Sequence, residues 1–270
     1  MKALIIALAL VTFLSACATS PTGRKQLMLI SPDAAIVQSK QAYLSTMQEL
    51  DDQQKLVDDP ALVQKIQTIT GRLVTEAINR YPDSSSWEWS VAVIDDDQTV
   101  NAWCMAGGRM AIYTGIINQL NLTDDEIAQI MGHEISHALA NHTAERMSRA
   151  MAMNAGMAAV GAATEGQGTV LAGAALAAKF ALELPNSRTA EAEADRIGIE
   201  LATRAGYAPE AAVSLWEKMG RLGGGKTPEF LSTHPSPDNR QQALSRMVSD
   251  VKQFNPNMAK SAVYPVTMVN

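Results

Sequence analysis

With 270 residues and 47% hydrophobic composition, the chain is long enough for one domain with a substantial core. A net charge of −6 and a pI near 5.3 exclude nucleic acid as the expected partner. No internal repeat of fixed period and no Gly-, Ser- or Pro-rich linker divides the sequence.

The chain opens with Lys2, the apolar run Ala3 to Leu14, and then Leu14-Ser15-Ala16-Cys17. That run is too short for a membrane span, which needs ~20 residues, and it reads as a signal peptide over 1–16. The Leu-Ser-Ala-Cys end resembles a bacterial lipobox, which implies cleavage before Cys17 and lipid attachment to its thiol. Residue 18 is Ala and not Asp, a choice that by the same resemblance favours the outer membrane. Cys104 is then the one unmodified cysteine of the mature chain, so no intramolecular disulfide is expected even in an oxidising compartment. It reads as a small apolar filler in a strand.

Residues 17–30 read as an extended tether. A single domain follows over 31–255, and 256–270 is expected to be a loose tail. Ser31-Pro32-Asp33 and Asp59-Pro60 each offer an N-cap with Pro at the first helical position. The second helix places Leu62, Val63, Ile66, Ile69, Leu73, Val74 and Ile78 at helical spacing and ends before Tyr81-Pro82. Trp87 to Ile94, Thr99 to Met105 and Arg109 to Tyr113 then predict three short strands in hairpin order.

Thr123-Asp124-Asp125-Glu126 is a capping box, with acids in the first turn as the helix dipole prefers. The helix it starts carries His133-Glu134-Ile135-Ser136-His137. Residues four apart share a helix face, so the two imidazoles can close on one metal ion. Glu134 lies about 100° round from His133, beside such an ion and not on it. A zinc ion held this way lowers the pKa of its water towards ~7, and a neighbouring carboxylate can take the proton. A catalytic site needs a third protein ligand. His142, on a continued helix, would lie about 180° from His133, and it reads as a helix-end or surface residue. The better source is Glu191-Ala192-Glu193-Ala194-Asp195, in which Glu191 and Asp195 share a helical face. One of them can ligate while the other accepts the free N–H of a ligating imidazole; Glu193 falls off that face.

Residues 150–178 carry one charge, Glu165, and are rich in Ala, Gly and Met. They predict two buried or lid-like helices, with Met147, Met151, Met153 and Met157 as core or as an adaptable channel lining. Ala205-Gly206-Tyr207 is a helix stop and Pro209 a new start. Gly223-Gly224-Gly225 predicts a mobile loop, and a last helix runs from Pro237-Asp238 to about Phe254.

His133, Glu134 and His137, then Glu191-x-x-Ala194-Asp195, Thr233-His234-Pro235 and Arg240, resemble the gluzincin metallopeptidases of the HtpX and CAAX-prenyl-protease type. The similarity is strongest to their bacterial periplasmic lipoprotein branch, without the tetratricopeptide-repeat region that some members add. The resemblance implies His133, His137 and Glu191 as ligands of one zinc ion per chain, Glu134 as catalytic base and Asp195 as the carboxylate behind a ligand. It sets His234 and Arg240 at the open zinc position, and it makes Asn101-Ala102 and Gly107-Gly108 an edge strand that pairs with substrate backbone. Ala106 departs from the Pro that the family commonly has before the Gly pair.

The expectation is therefore an α+β, mostly helical zincin-like domain with a three-stranded antiparallel sheet beside the active-site helix. It would be anchored by lipid at the periplasmic face of the outer membrane and would hydrolyse unfolded or misassembled envelope polypeptides. Two rivals stand beside this: a chaperone or assembly factor that uses the same cleft near the outer-membrane assembly machinery, and a purely structural zinc site.

Overall fold

The computed structural model describes residues 17–163, 184–222, 229–234 and 239–269, together with 168 and 172. The signal peptide, residues 164–178 of the expected lid apart from 168 and 172, residues 179–183, the Gly223–225 loop and Pro235 to Asp238 lie outside the described residues.

Strands β1 (Cys17–Thr19) and β2 (Lys25–Leu27) form an antiparallel hairpin. This corrects the expected tether, because Gln26 and Ser20 are buried and Arg24 pairs with two carboxylates of the domain. Helix α1 (Pro32–Asp52) starts where the Ser31 side chain accepts the Ala34 N–H. Helix α2 (Pro60–Arg80) starts where Asp59 accepts the Ala61 N–H. Both caps satisfy amides that the first turn leaves without partners.

Strands β3 (Ser90–Ile94), β4 (Ala102–Met105), β5 (Arg109–Tyr113) and β6 (Thr267–Val269) form one sheet in the order β4-β5-β3-β6. Only β4 and β5 are antiparallel; β3 runs parallel to β5, from Ser90 beside Arg109 to Ile94 beside Tyr113, and also parallel to β6. The expected three-stranded antiparallel sheet is thus a four-stranded mixed one. The reason lies in β3, whose five residues are all buried: Val91 and Val93 meet α2, while Ala92 and Ile94 meet Tyr43 and Met47 of α1. Covered on both faces, β3 sits inside the sheet, where parallel pairing is found.

The C-terminal residues are not loose. Asn255 Nδ2 donates to the carbonyls of Thr203 and Arg204, the Tyr264 N–H donates to the Gly71 carbonyl, and Val266 is buried ahead of β6. Gly71 permits this contact, since a Cβ there would stand 2.5 Å from the Tyr264 oxygen.

Helices α3 (Thr114–Gln119) and α4 (Asp124–Leu139) follow the sheet. Of the residues of α4, only Asp124, Asp125 and His137 escape full burial, so this helix is the axis of the core. Its capping box forms as read, and Glu126 also accepts from Lys218 and Ser214 of α7 (Glu210–Arg221), both at 2.7 Å. Helix α4 stops because Asn141 takes a left-handed φ of 56°, and α5 (His142–Ala163) leaves in a new direction. The described part of the expected lid, 150–163, is largely exposed, and Met151 faces solvent; Met147 packs towards Ala35, Ala106 and Ala144. Helices α6 (Leu184–Arg204), α8 (Glu229–Thr233) and α9 (Arg240–Lys252) complete the domain. Among the described residues no helix is long and apolar enough to cross a membrane.

Candidate metal centre

Helices α4 and α6 cross where each carries a glycine. A Cβ on Gly198 would stand 2.8 Å from the His133 nitrogen, and one on Gly132 would stand 3.0 Å from the Gly198 oxygen. This close approach brings Glu191, about two turns before Gly198 on α6, against the two histidines of α4.

His133 Nε2 lies 3.2 Å from Glu191 Oε2, His137 Nε2 lies 3.4 Å from Glu191 Oε1, and the two Nε2 atoms are 3.1 Å apart. With a nitrogen of His234, all four groups have donor atoms within 4.8 Å of one another. Two ring nitrogens facing each other beside a carboxylate suit a shared cation, and two imidazoles with one carboxylate suit zinc. Glu134 adds an independent sign. Its carboxyl is buried and Oε1 makes no hydrogen bond, although His234 Nε2 is 3.4 Å away. A buried carboxylate oxygen without a partner is costly in a fold and useful beside a bound water. The residues present therefore fit the ion.

Behind the ligands, each imidazole is held by its other nitrogen. Asp195 Oδ1 stands 3.0 Å from His133 Nδ1 and 2.5 Å from Arg240 Nη2. Arg240 also reaches Glu191 Oε2 at 3.3 Å and lies over the Trp216 ring at 3.9 Å. The guanidinium neutralises the carboxylates of Glu191 and Asp195, and its Nη2 also stands 3.2 Å from His133 Nδ1 and 3.4 Å from His133 Nε2. His234 faces Glu134 and the ligand atoms, its ring stacked on Phe230 at 4.5 Å.

Burial and the Arg240 charge both push His133 down, yet its hydrogen bonds to Asp195 and Glu191 outweigh them and raise its pKa to about 9. Burial and the neighbouring His133 hold His137 neutral, well below its ordinary value. Burial alone would raise the carboxyls of Glu191 and Asp195. The His133 hydrogen bond at the first and the Arg240 charge at the second bring both below the usual range. Burial, helped by the nearby Glu134 charge, keeps the Cys104 thiol protonated, in keeping with its reading as an apolar filler.

The expected substrate edge is partly as read. Strand β4 is a sheet edge, but the Ala102 N–H is already taken by the Asn101 side chain, which also donates to Glu229. Gly107 and Gly108 form the β4–β5 turn with φ of 85° and 79°. Their missing side chains make room for Ile36 and Trp89, so they serve the turn and its packing. Ala106, where the family commonly has Pro, is buried among Ala35 and Ala144.

Two participants escaped the sequence. His142 Nδ1 lies 2.8 Å from His137 Nδ1, and its Nε2 lies 3.1 Å from Glu193 Oε2; both residues are buried. The angular argument for His142 assumed a helix that Asn141 interrupts. No local signal singled them out: the burial of His142, Glu145 and Glu193 follows from where α5, α6 and the β1–β2 loop meet.

Such a centre can hold a Lewis-acidic ion with its water and take that water's proton, which defines the class of zincin-type metallohydrolases. The sequence narrows this further. Residues 60–248 match the model of Peptidase family M48, and the chain belongs to that family, whose cofactor is zinc. It is 30% identical over 239 residues to Metalloendopeptidase OMA1, mitochondrial, of Bos taurus, covering 84% of this chain and 45% of that protein. It is 31% identical over 155 residues to Metalloprotease YcaL of Escherichia coli (strain K12), covering 57% and 60% respectively. To the Beta-barrel assembly-enhancing protease of Yersinia pestis it is 29% identical over 221 residues, covering 77% and 42%. The chain spans less than two thirds of the length of each of these relatives.

Proposed function

We propose that this chain is a zinc-dependent metalloendopeptidase of the bacterial cell envelope, acting on unfolded or misassembled envelope polypeptides. The observation that carries the reading is the buried Glu134 Oε1, which makes no hydrogen bond, beside three converging ligand groups. When bound, zinc supplies the Lewis acid that polarises a carbonyl and acidifies a water. Glu134 would accept the water's proton at Oε1 and return it to the leaving amine, with His234 Nε2 3.4 Å from that oxygen. Strand β4 offers the backbone edge beside α4; a peptide that added to it would be held by its main chain, which tolerates varied sequences. The Asn101 side chain would have to yield the Ala102 N–H for full pairing.

The envelope location rests on the lipobox-like Leu14-Ser15-Ala16-Cys17 and on the printed name of one bacterial relative, the Beta-barrel assembly-enhancing protease. The test is radiolabelled palmitate incorporation with a Cys17→Ala control, and fractionation of the product to the outer membrane. Incorporation that persists in the Cys17→Ala chain would remove the anchor from the reading.

One observation favours a second reading, a cleft that binds and assembles but cuts little: His234 lies among the ligand groups and can close the fourth position. Casein cleavage by His234→Ala separates the two. Cleavage that rises marks His234 as a closing ligand, and cleavage that falls 10²-fold or more marks it as a group that serves the reaction.

A further inference from the structure

His137 is a metal ligand without a carboxylate of its own. Asp195 on α6 holds His133, but the Nδ1 of His137 faces a second imidazole, His142 at the start of α5. The chemistry fixes the sense of the contact. A ligating Nε2 must offer its lone pair, so the neutral His137 ring carries its hydrogen on Nδ1 and donates it to His142 Nδ1. His142 then carries its own hydrogen on Nε2 and donates to Glu193 Oε2, 3.1 Å away. This is the arrangement in which a carboxylate orients a ligating histidine, lengthened by one imidazole.

What holds Glu193 comes from the other end of the chain. Thr22 Oγ1 donates to Glu193 Oε1 at 2.6 Å, and Arg24 Nε donates to Glu193 Oε2 at 2.8 Å. The two remaining nitrogens of Arg24 grip Glu145 at 2.8 and 2.6 Å. Glu145 also accepts from Gln26, whose amide bonds the Ala140 carbonyl at the end of α4, and from Arg149. The groups facing one another here are two carboxylates and two guanidiniums, so the cluster is charge-balanced when Arg24 is in place. Thr22 and Arg24 both lie in the loop that joins β1 to β2, in the hairpin that begins at Cys17.

We propose that the β1–β2 hairpin is a working part of the metal centre: Thr22 and Arg24, acting through Glu193 and His142, position the His137 imidazole for zinc. Thr22, Arg24, Glu193 and His142 are positioning residues and touch neither substrate nor ion. The anchoring end of the chain and the hydrolytic centre are thereby mechanically joined within a few residues, and displacing the hairpin loosens the site. The inference rests on the metal-centre reading given above.

The test is competition for zinc against a chromogenic chelator, with the full mature chain and five variants. In His142→Leu the His137 N–H loses its acceptor, and zinc affinity is expected to fall 10- to 100-fold. Arg24→Gln, which removes a charged hydrogen bond from Glu193 and two from Glu145, is expected to weaken zinc by about tenfold, and Thr22→Val, which removes one neutral hydrogen bond from Glu193, severalfold. Lys25→Gln, in the same hairpin but bonded only to Thr19 at the surface, leaves affinity unchanged. His142→Asn keeps an acceptor near the place of Nδ1 and recovers most of the affinity. Far-UV circular dichroism of the metal-free proteins establishes folding, and if Arg24→Gln fails it, Thr22→Val carries the test without stranding a charge. Zinc affinity unchanged in folded His142→Leu and Thr22→Val, even with lower melting temperatures, would overturn the proposal and leave the cluster a stabiliser of the fold. Affinity lost in His142→Leu but intact in both hairpin variants would overturn the hairpin's part. A parent chain that binds no zinc would instead refute the metal centre itself.

Discussion

Replacing Gly198 with Ala tests whether the crossing of α4 and α6 sets the geometry of the metal site. The added methyl would stand 2.8 Å from the His133 nitrogen and 2.9 Å from its Cα, both backbone atoms that no rotamer change can remove. Ordinary contact begins near 3.4 Å, so the helices must part by about 0.6 Å. Overpacking of this kind costs about 1–3 kcal/mol, and removing a helical glycine returns about 1 kcal/mol, for a net loss of about 0–2 kcal/mol. The larger effect falls on function. Glu191 and Asp195 ride on α6 and His133 on α4, and a site of this kind tolerates about 0.5 Å of misplacement. Zinc affinity and kcat/KM should each fall at least tenfold while the protein stays folded. Chelator competition, thermal melts and casein cleavage read the three quantities. Gly156→Ala on α5, where a methyl meets nothing within 4 Å, is the control and should be neutral or slightly stabilising. Zinc affinity and kcat/KM within twofold of the parent in Gly198→Ala would refute the argument.

Asp195→Asn removes the charge that His133 and Arg240 share, and zinc affinity should drop 10- to 100-fold by chelator competition; no change would show that Asp195 does not hold the ligand. The His133 pKa of about 9 means that zinc must displace a proton at neutral pH. Apparent affinity should therefore climb about tenfold per pH unit from roughly 6.5 to 8.5, with close to one proton released in calorimetry across two buffers. In the metal-free protein the same raised pKa adds stability below the unfolded value near 6.5, and that stability fades as pH rises through about 9. Glu145 behaves in the opposite sense. Burial would raise it, but Arg24 and its other partners bring it to about 2, so its contribution is present above pH ~4.5 and lost as pH falls towards 2. Arg24→Gln should flatten that acid-side loss in pH-dependent melts, and an unchanged acid limb would contradict the assignment.

The helices and their starts were legible because their signals are local. Ser31, Asp59 and the Thr123–Glu126 box each act within a turn of the residues they cap. The candidate metal groups were legible as pairs for a related reason: His133 with His137, and Glu191 with Asp195, are four apart, and helical spacing alone puts each pair on one face. What escaped depends on where the chain returns. Strand β3 joins β5 in parallel and receives β6 from residues that carry no strong strand pattern, so the sheet could not be read from adjacent segments. His142 was misplaced because one left-handed residue, Asn141, ends the helix on which its direction was extrapolated. Arg240 could be matched to the site by motif, yet its seat over Trp216 and its contacts with Glu191 and Asp195 follow from the packing of α9, which no local pattern announces.

The central claim is that Glu134 is a base beside a zinc ion and not part of what binds it. Zinc content and casein cleavage, measured together on the mature chain and its Glu134→Gln variant, test this most directly. The expected result is one zinc per chain in both, cleavage by the parent, and a loss of 10²-fold or more in the variant. A variant that binds zinc and still cleaves as the parent does, or a parent that binds no zinc, would contradict the account.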